Sequence, residues 1–213
     1  MNTQSIAKPG RASRVPAVLD IGEMLSGTLL VVFMITHLLL VASIILGPES
    51  FRALATWFEE TFYFAYIAVA GIILLILAHI VLTVSKIPTN FSKHMQILRM
   101  SGRMPHMDTF LWVVQVVSGL AIAIFASIHL WVIATGFPIT PEKSAARVVG
   151  DFTWFYILFV FFVELHLSVG FYRIVAKWGW WSRKFMHWFH YVQMIIFWTI
   201  GYYAIYLFYN YGG

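Results

Sequence analysis

Five stretches of the chain, about residues 24–46, 62–85, 109–135, 152–172 and 187–209, are nearly unbroken runs of apolar side chains. Each is long enough to cross roughly 30 Å of hydrocarbon as a helix, which takes about 20 residues. The segments between them, 1–23, 47–61, 86–108, 136–151 and 173–186, hold almost all the charged residues. None approaches the size of a folded domain. The pattern predicts an all-α integral membrane bundle of five transmembrane helices spanning 24–209. Residues 1–23 are expected to be a cytoplasmic tail and 210–213 a short outer one. No repeat or low-complexity tract appears.

Composition agrees with that reading, since 61% of the 213 residues are hydrophobic and only 11% are charged. A water-soluble chain carries about a quarter charged residues, so a soluble fold is excluded. The formal charge of +5 could in principle serve nucleic acid or a membrane surface, and its placement favours the membrane. Of 14 Lys and Arg, only Arg52, Lys143 and Arg147 fall on one side of the predicted bundle, and the rest fall on the other. Cytoplasmic loops retain Lys and Arg. The amino terminus and the 86–108 and 173–186 loops are therefore expected inside, and the carboxyl terminus outside. The first twenty residues contain no short apolar core with a cleavage site, so the first span is expected to be retained. Trp178, Trp180, Trp181 and Trp188 crowd the inner edge, and Trp57, Trp131 and Trp154 the outer one, as amphipathic rings prefer. With no cysteine, the chain offers no disulfide, thiolate metal site or iron-sulfur ligand.

Of eight histidines, His94, His106, His187 and His190 lie in or beside the inner loops and read as solvated or interfacial imidazoles. His37, His79, His129 and His166 each lie within a different one of the first four spans. Any one of them could be interhelical glue, but their depths form a pattern. His79 and His166 each precede an inner cation, Lys86 and Arg173, by seven residues, or about 10 Å of helix. His37 and His129 precede the outer Gly47 and Gly136 by ten and seven residues, or about 10 to 15 Å. Two pairs at two depths, each drawn from two helices, is the arrangement needed for two bis-histidine haems stacked across a membrane. Gly27 and Gly119 each precede an outer histidine by ten residues and so fall at the inner pair's level, with Ser26 and Ser118 alongside. They suit either a haem passing close to the backbone or a small-residue helix contact. Among nine acids, Glu164 alone lies in mid-span. An intramembrane carboxylate is costly and functional by default. It sits about 200° around the helix from His166, which suits a proton carrier beside the haems, or else a protonated acid bonded within the bundle.

The segments LSGTLLVVFMITH to His37, LAHIVLTVSKIPTNF after the second span, LWVVQVVSGLAIAIFASIH to His129 and VELHLSVGFYRIVAKWGW around His166 together resemble a known family. It is the five-helix, di-haem cytochrome b subunit of menaquinol:fumarate reductases and related succinate:menaquinone reductases. The likeness runs to about Trp180, and the fifth span matches poorly. The resemblance implies that His79 and His166 hold the haem nearer the cytoplasm and His37 and His129 the distal one. It places Trp112, Arg173 and Lys177 beside haem propionates, gives Glu164 a part in transmembrane proton transfer, and assigns menaquinol oxidation to Glu59, with Glu60 as a near rival. Glu23 and Met24 depart from polar residues that the family can carry early in span one.

The resemblance further implies an iron-sulfur subunit and an FAD-containing flavoprotein docked on the cytoplasmic side of a bacterial inner membrane. This chain would be the quinone-reactive subunit, with menaquinol as substrate and no dicarboxylate site of its own. Succinate oxidation in the opposite direction stays open. So does a transition-metal transporter, although the second and fourth spans lack methionine. A quinol:cytochrome c type cytochrome b, with two ligands on each of two helices, does not fit, since no span holds two interior histidines.

Overall fold

A chain whose apolar side chains outnumber any core they could fill must turn many of them outward, and this one does. Leu39, Leu74, Ile124 and Ile195 are each at least 60% exposed on the sides of long helices. Only lipid makes such a surface favourable. The computed structural model describes residues 15–61, 64–84, 90–103 and 107–212. Among them the chain is helical, with α1 Val15–Ala42, α2 Pro48–Glu60, α3 Phe64–Val84, α4 Phe91–Arg103, α5 Met107–Ala134, α6 Pro141–Val148, α7 Thr153–Trp178 and α8 Arg183–Gly212. Five stretches are long and apolar enough to cross a membrane: Ala17–Leu46, Tyr66–Val84, Asp108–Ala134, Thr153–Trp178 and Arg183–Gly212. These are the five expected spans, extended at several ends. Helix α1 begins inside the segment read as a tail, and of that segment residues 1–14 lie outside the described residues.

Three connections expected as loops contain the helices α2, α4 and α6. Their boundaries have local causes. Gly47, at φ +109°, makes a turn that L side chains rarely adopt, and Pro48 then opens α2 with its φ already helical. Thr140 caps α6 by accepting from the Lys143 backbone N–H at 3.2 Å, with Pro141 in the first turn. Gly179, left-handed at φ +67°, ends α7.

In the bundle α1 packs on α3, α7 and α8, α5 packs on α3 and α7, and α7 is seated along α8. The fifth span, poorly matched by its motifs, is thus a principal partner of α7. One end is closed by a buried cluster of Ile44, Phe51, Ala55, Ala145, Val148, Ala204 and Phe208, drawn from α2, α6, α8 and the turn after α1. The other end holds Leu111, Val169, Tyr172, Val175 and Met186. At the α2–α6 end Glu142 is clasped by the Arg52 guanidinium at 2.6 Å and the Tyr211 hydroxyl at 2.7 Å. The opposite end carries Asp20–Lys177 at 3.1 Å and Asp108–Arg183 at 2.9 Å.

The Arg52 guanidinium, with help from Tyr211, holds the Glu142 carboxyl at about 2, below its ordinary 4.5. A carboxyl depressed in the folded state adds stability that is present above the ordinary value and lost as pH falls through the folded one. The clasp is therefore expected to persist at pH 4 and to open only near pH 2. Carboxyl-carbon NMR of labelled Glu142 checks this: Arg52→Gln should move the midpoint up toward 4.5, and an unmoved midpoint rejects the clasp.

Candidate haem centre

Neutral imidazole offers a lone pair without burying a charge, which suits it to bind iron inside an apolar bundle. His37 lies on α1, His79 on α3, His129 on α5 and His166 on α7. The structure brings them together in two pairs. The His37 and His129 rings meet with centroids 6.1 Å apart and planes at 71°. Imidazole nitrogen bonds a transition metal at about 2 Å, so two rings sharing one metal atom stand about 6 Å apart. Phe33 stacks on His37 at 5.7 Å, and Phe159 and Tyr156 flank His129 at 5.4 and 6.2 Å. His79 and His166 lie within electrostatic range of each other. The two levels are ten residues apart along both α1 and α5, or about 15 Å.

Hydrogen bonds at the second pair bear on which nitrogen is available. Ser26 Oγ lies 3.1 Å from the Glu23 carbonyl and 2.9 Å from His79 Nδ1, so it can accept from the ring while donating to that carbonyl. Ser118 repeats the device. Its hydroxyl donates to the Val114 carbonyl at 2.6 Å, and His166 Nδ1–H donates to Ser118 Oγ and to the Gln115 carbonyl, both at 3.1 Å. At His166 the carbonyl can only accept, so the ring keeps Nε2 as its lone pair, the state a metal ligand requires, and the Ser26 contact allows the same state at His79. At His166 that nitrogen accepts from Gln115 Nε2–H at 3.1 Å.

The glycines lie directly beside this pair. A Cβ on Gly119 would stand 3.0 Å from His166 Cε1, and one on Gly27 3.5 Å from His79 Cε1 and 3.3 Å from Ile174 Cδ1. His129 Nδ1 is buried without a protein partner, a condition that buried polar atoms rarely keep. Among the described residues no group of three or more His, Asp or Glu converges as a metal site, so the donors come in pairs. Paired imidazoles, Nδ1 atoms tied back to serine and glycines beneath the rings together fit b-type haem held by two histidines.

The remaining candidates are dispersed. Trp112 is half-buried on α5, one turn from Gln115. Arg173 is half-buried with Glu23 and Asp108 in electrostatic reach, and Lys177 pairs with Asp20. At the α2–α6 end Glu59 and Glu60 are distinguished: Glu60 is exposed, whereas Glu59 Oε1 accepts from the Ile139 backbone N–H at 2.5 Å. The loop carrying Ile139 is itself held by Lys143 on the Phe137 carbonyl and Arg147 on the Gly136 carbonyl, both at 3.0 Å. Glu164 is only 4% exposed, with Oε2 unpartnered, and lies in electrostatic range of Tyr202 on α8. It therefore faces the α7–α8 seam, away from His166.

One sequence reading is corrected. His190 is not a solvated imidazole: it is 2% exposed, its ring 5.4 Å from Tyr172 and its Nδ1–H donating to the Met186 carbonyl at 3.1 Å. The signal was present in the spacing of Met186, His190, Gly201, Ala204 and Phe208, which form one buried helical stripe. His106, and the side chain of His94, lie outside the described residues.

If the Gly119 cradle receives a haem, Gly119→Val drives its methyls into the His166 ring, an overpacking that costs about 1–3 kcal/mol. The purified variant is expected to stay helical by circular dichroism and lose haem absorbance. Gly71→Val, where a Cβ would meet nothing within 4 Å, should keep it. Equal haem in both variants rejects the cradle.

The chain is similar to known transmembrane cytochrome b subunits. The profile described as "Succinate dehydrogenase/Fumarate reductase transmembrane subunit" matches residues 85–206. That match extends through most of α8, beyond the Trp180 limit expected from the motifs. The fumarate reductase cytochrome b subunit of Helicobacter pylori (strain ATCC 700392 / 26695) is 36% identical over 182 residues, covering 81% of this chain and 71% of the relative. The fumarate reductase cytochrome b subunit of Wolinella succinogenes is 34% identical over 184 residues, covering 82% and 72%. The chain belongs to the succinate dehydrogenase/fumarate reductase transmembrane subunit family, as a cytochrome b membrane subunit.

Proposed function

We propose that this chain anchors a fumarate reductase in a bacterial cytoplasmic membrane, oxidises menaquinol and passes its electrons inward. The observation that carries the reading is the convergence of four intramembrane histidines from four helices into two pairs about 15 Å apart in level. Two b haems, when bound there, supply one-electron transfer between the two faces of the bundle. His37 and His129 hold the one nearer the α2–α6 end, and His79 and His166 the other. The uneven distribution of Lys and Arg supports an orientation with α4 and the α7–α8 turn inside. There α4 offers exposed Lys93 and Arg99 to the iron-sulfur and flavoprotein subunits, which reduce fumarate.

Menaquinol gives up two electrons and two protons to become menaquinone, and fumarate takes up two of each to become succinate. At the outer end Glu59 is oriented through Oε1 by the Ile139 N–H. Its other oxygen is left to accept a quinol hydroxyl proton and pass it outward. At the inner end Trp112, Arg173 and Lys177 would supply N–H donors to propionate carboxylates when haem is bound. Electrons moving inward alone would carry charge through the membrane potential, worth about 2.3 kcal/mol per charge per 100 mV. One proton per electron carried inward by Glu164, the one mid-span acid, cancels that charge.

Two measurements test this. A reduced-pyridine spectrum of the complex purified with its partners should give two b haems per polypeptide, and His79→Ala or His166→Ala should lose the inner one first. A preparation without haem ends the proposal. In proteoliposomes, Glu164→Gln should slow menaquinol-driven fumarate reduction, and an unchanged rate removes Glu164 from the mechanism.

A further inference from the structure

Burying a polar atom in hydrocarbon without a partner costs several kcal/mol, yet the α7–α8 seam holds four. Glu164 Oε2 and Ser168 Oγ on α7, and Gln193 Oε1 and Trp198 Nε1 on α8, are all buried and unpartnered. They belong to one interface. Phe161 stacks on Trp198 at 5.3 Å, Phe171 meets Phe189 at 5.8 Å and Tyr172 meets His190 at 5.4 Å. This antiparallel register puts Ser168, 0% exposed, level with Gln193. Glu164, Ser168 and Tyr172 follow at intervals of four residues, so they share a face of α7 about 6 Å apart. Clustered unpartnered acceptors and donors at that spacing are what an internal water needs, since it binds two to four polar groups.

Toward the inner end the seam continues through groups that can carry a proton. His190 donates Nδ1–H to the Met186 carbonyl, leaving Nε2 as the lone pair of a neutral ring. Around it stand Tyr172 from α7, and His187 and Tyr191 from its own helix. The Tyr172 hydroxyl donates to Asp108 Oδ1 at 3.2 Å, and Asp108 is paired with the exposed Arg183. Polar groups thus recur along this seam from mid-span Glu164 to Asp108 near its inner end.

We propose that the inner half of the α7–α8 seam is a hydrated proton conduit: water held by Ser168 and Gln193, with His190 as the relay and Tyr172–Asp108 as the inner mouth. His190 binds a proton at Nε2 and releases it again, so the ring ends neutral and no other reactant is required. This deepens the charge-compensation reading above by giving the inward proton a route to the inner face.

The test uses the complete complex in proteoliposomes, reading quinol-driven fumarate reduction with and without a protonophore. His190→Phe and Gln193→Leu are each expected to slow turnover by about tenfold or more, up to the roughly 10²–10⁴-fold that a positioned proton-transfer group contributes. The protonophore should restore the rate by discharging the opposing potential, while the haem spectrum stays intact. Slowing that the protonophore does not relieve would mean a packing role and overturns the conduit. Normal rates in both variants beside a slowed Glu164→Gln overturn the conduit alone, and normal rates in all three overturn the charge-compensation reading as well. If His190→Phe does not assemble, Gln193→Leu and Ser168→Ala decide the question.

Discussion

Lipid supplies no hydrogen bonds, so every polar atom that enters it must find its partner inside the bundle. This constraint organises the whole molecule. It forces the backbone into helices, confines Lys and Arg to the ends, and makes each intramembrane polar side chain a statement about what it meets. Ser26 and Ser118 meet histidine Nδ1 atoms, and at His166 the Gln115 carbonyl fixes the tautomer that frees Nε2. The pairing at the inner level is therefore built twice, once from α1 onto α3 and once from α5 onto α7. In each case a glycine next to the serine keeps the ring close to the opposing backbone.

Helix α7 is the hub of this arrangement. One of its faces carries His166 against Gln115, Ser118 and Gly119 of α5. Its other face carries Glu164 and Ser168 against α8. In the proposed function, redox chemistry and proton movement use different sides of this one helix, at nearly the same depth. A carboxylate beside iron-ligating rings would disturb their potential. Under the same proposal, its place across the helix would keep the two processes apart while leaving their charges close enough to offset one another.

The ends of the bundle serve a third purpose. Glu142, Arg52 and Tyr211 clasp α2, α6 and the end of α8, and the 136–139 loop fixes Glu59 through a backbone N–H. The acid proposed to meet quinol is thus oriented by the same short helices that close the bundle. These helices are stabilised locally by Gly47, Pro48, Thr140 and Pro141. Hydropathy alone passes over them because they are short and only half apolar.

The sequence by itself determined the five spans, the two levels of histidine and the solitary Glu164, because membrane thickness and helical rise convert spacing directly into depth. It also put Ser26, Gly27, Ser118 and Gly119 at the inner level by the same arithmetic. Depth, however, says nothing about which face a side chain turns to which neighbour. Only the tertiary structure decided that α7 packs on α8, that Glu59 rather than Glu60 is held by a backbone donor, and that His190 is buried. Each of these depends on the rotation and register of one helix against another, which side-chain packing between distant segments sets and no local pattern encodes.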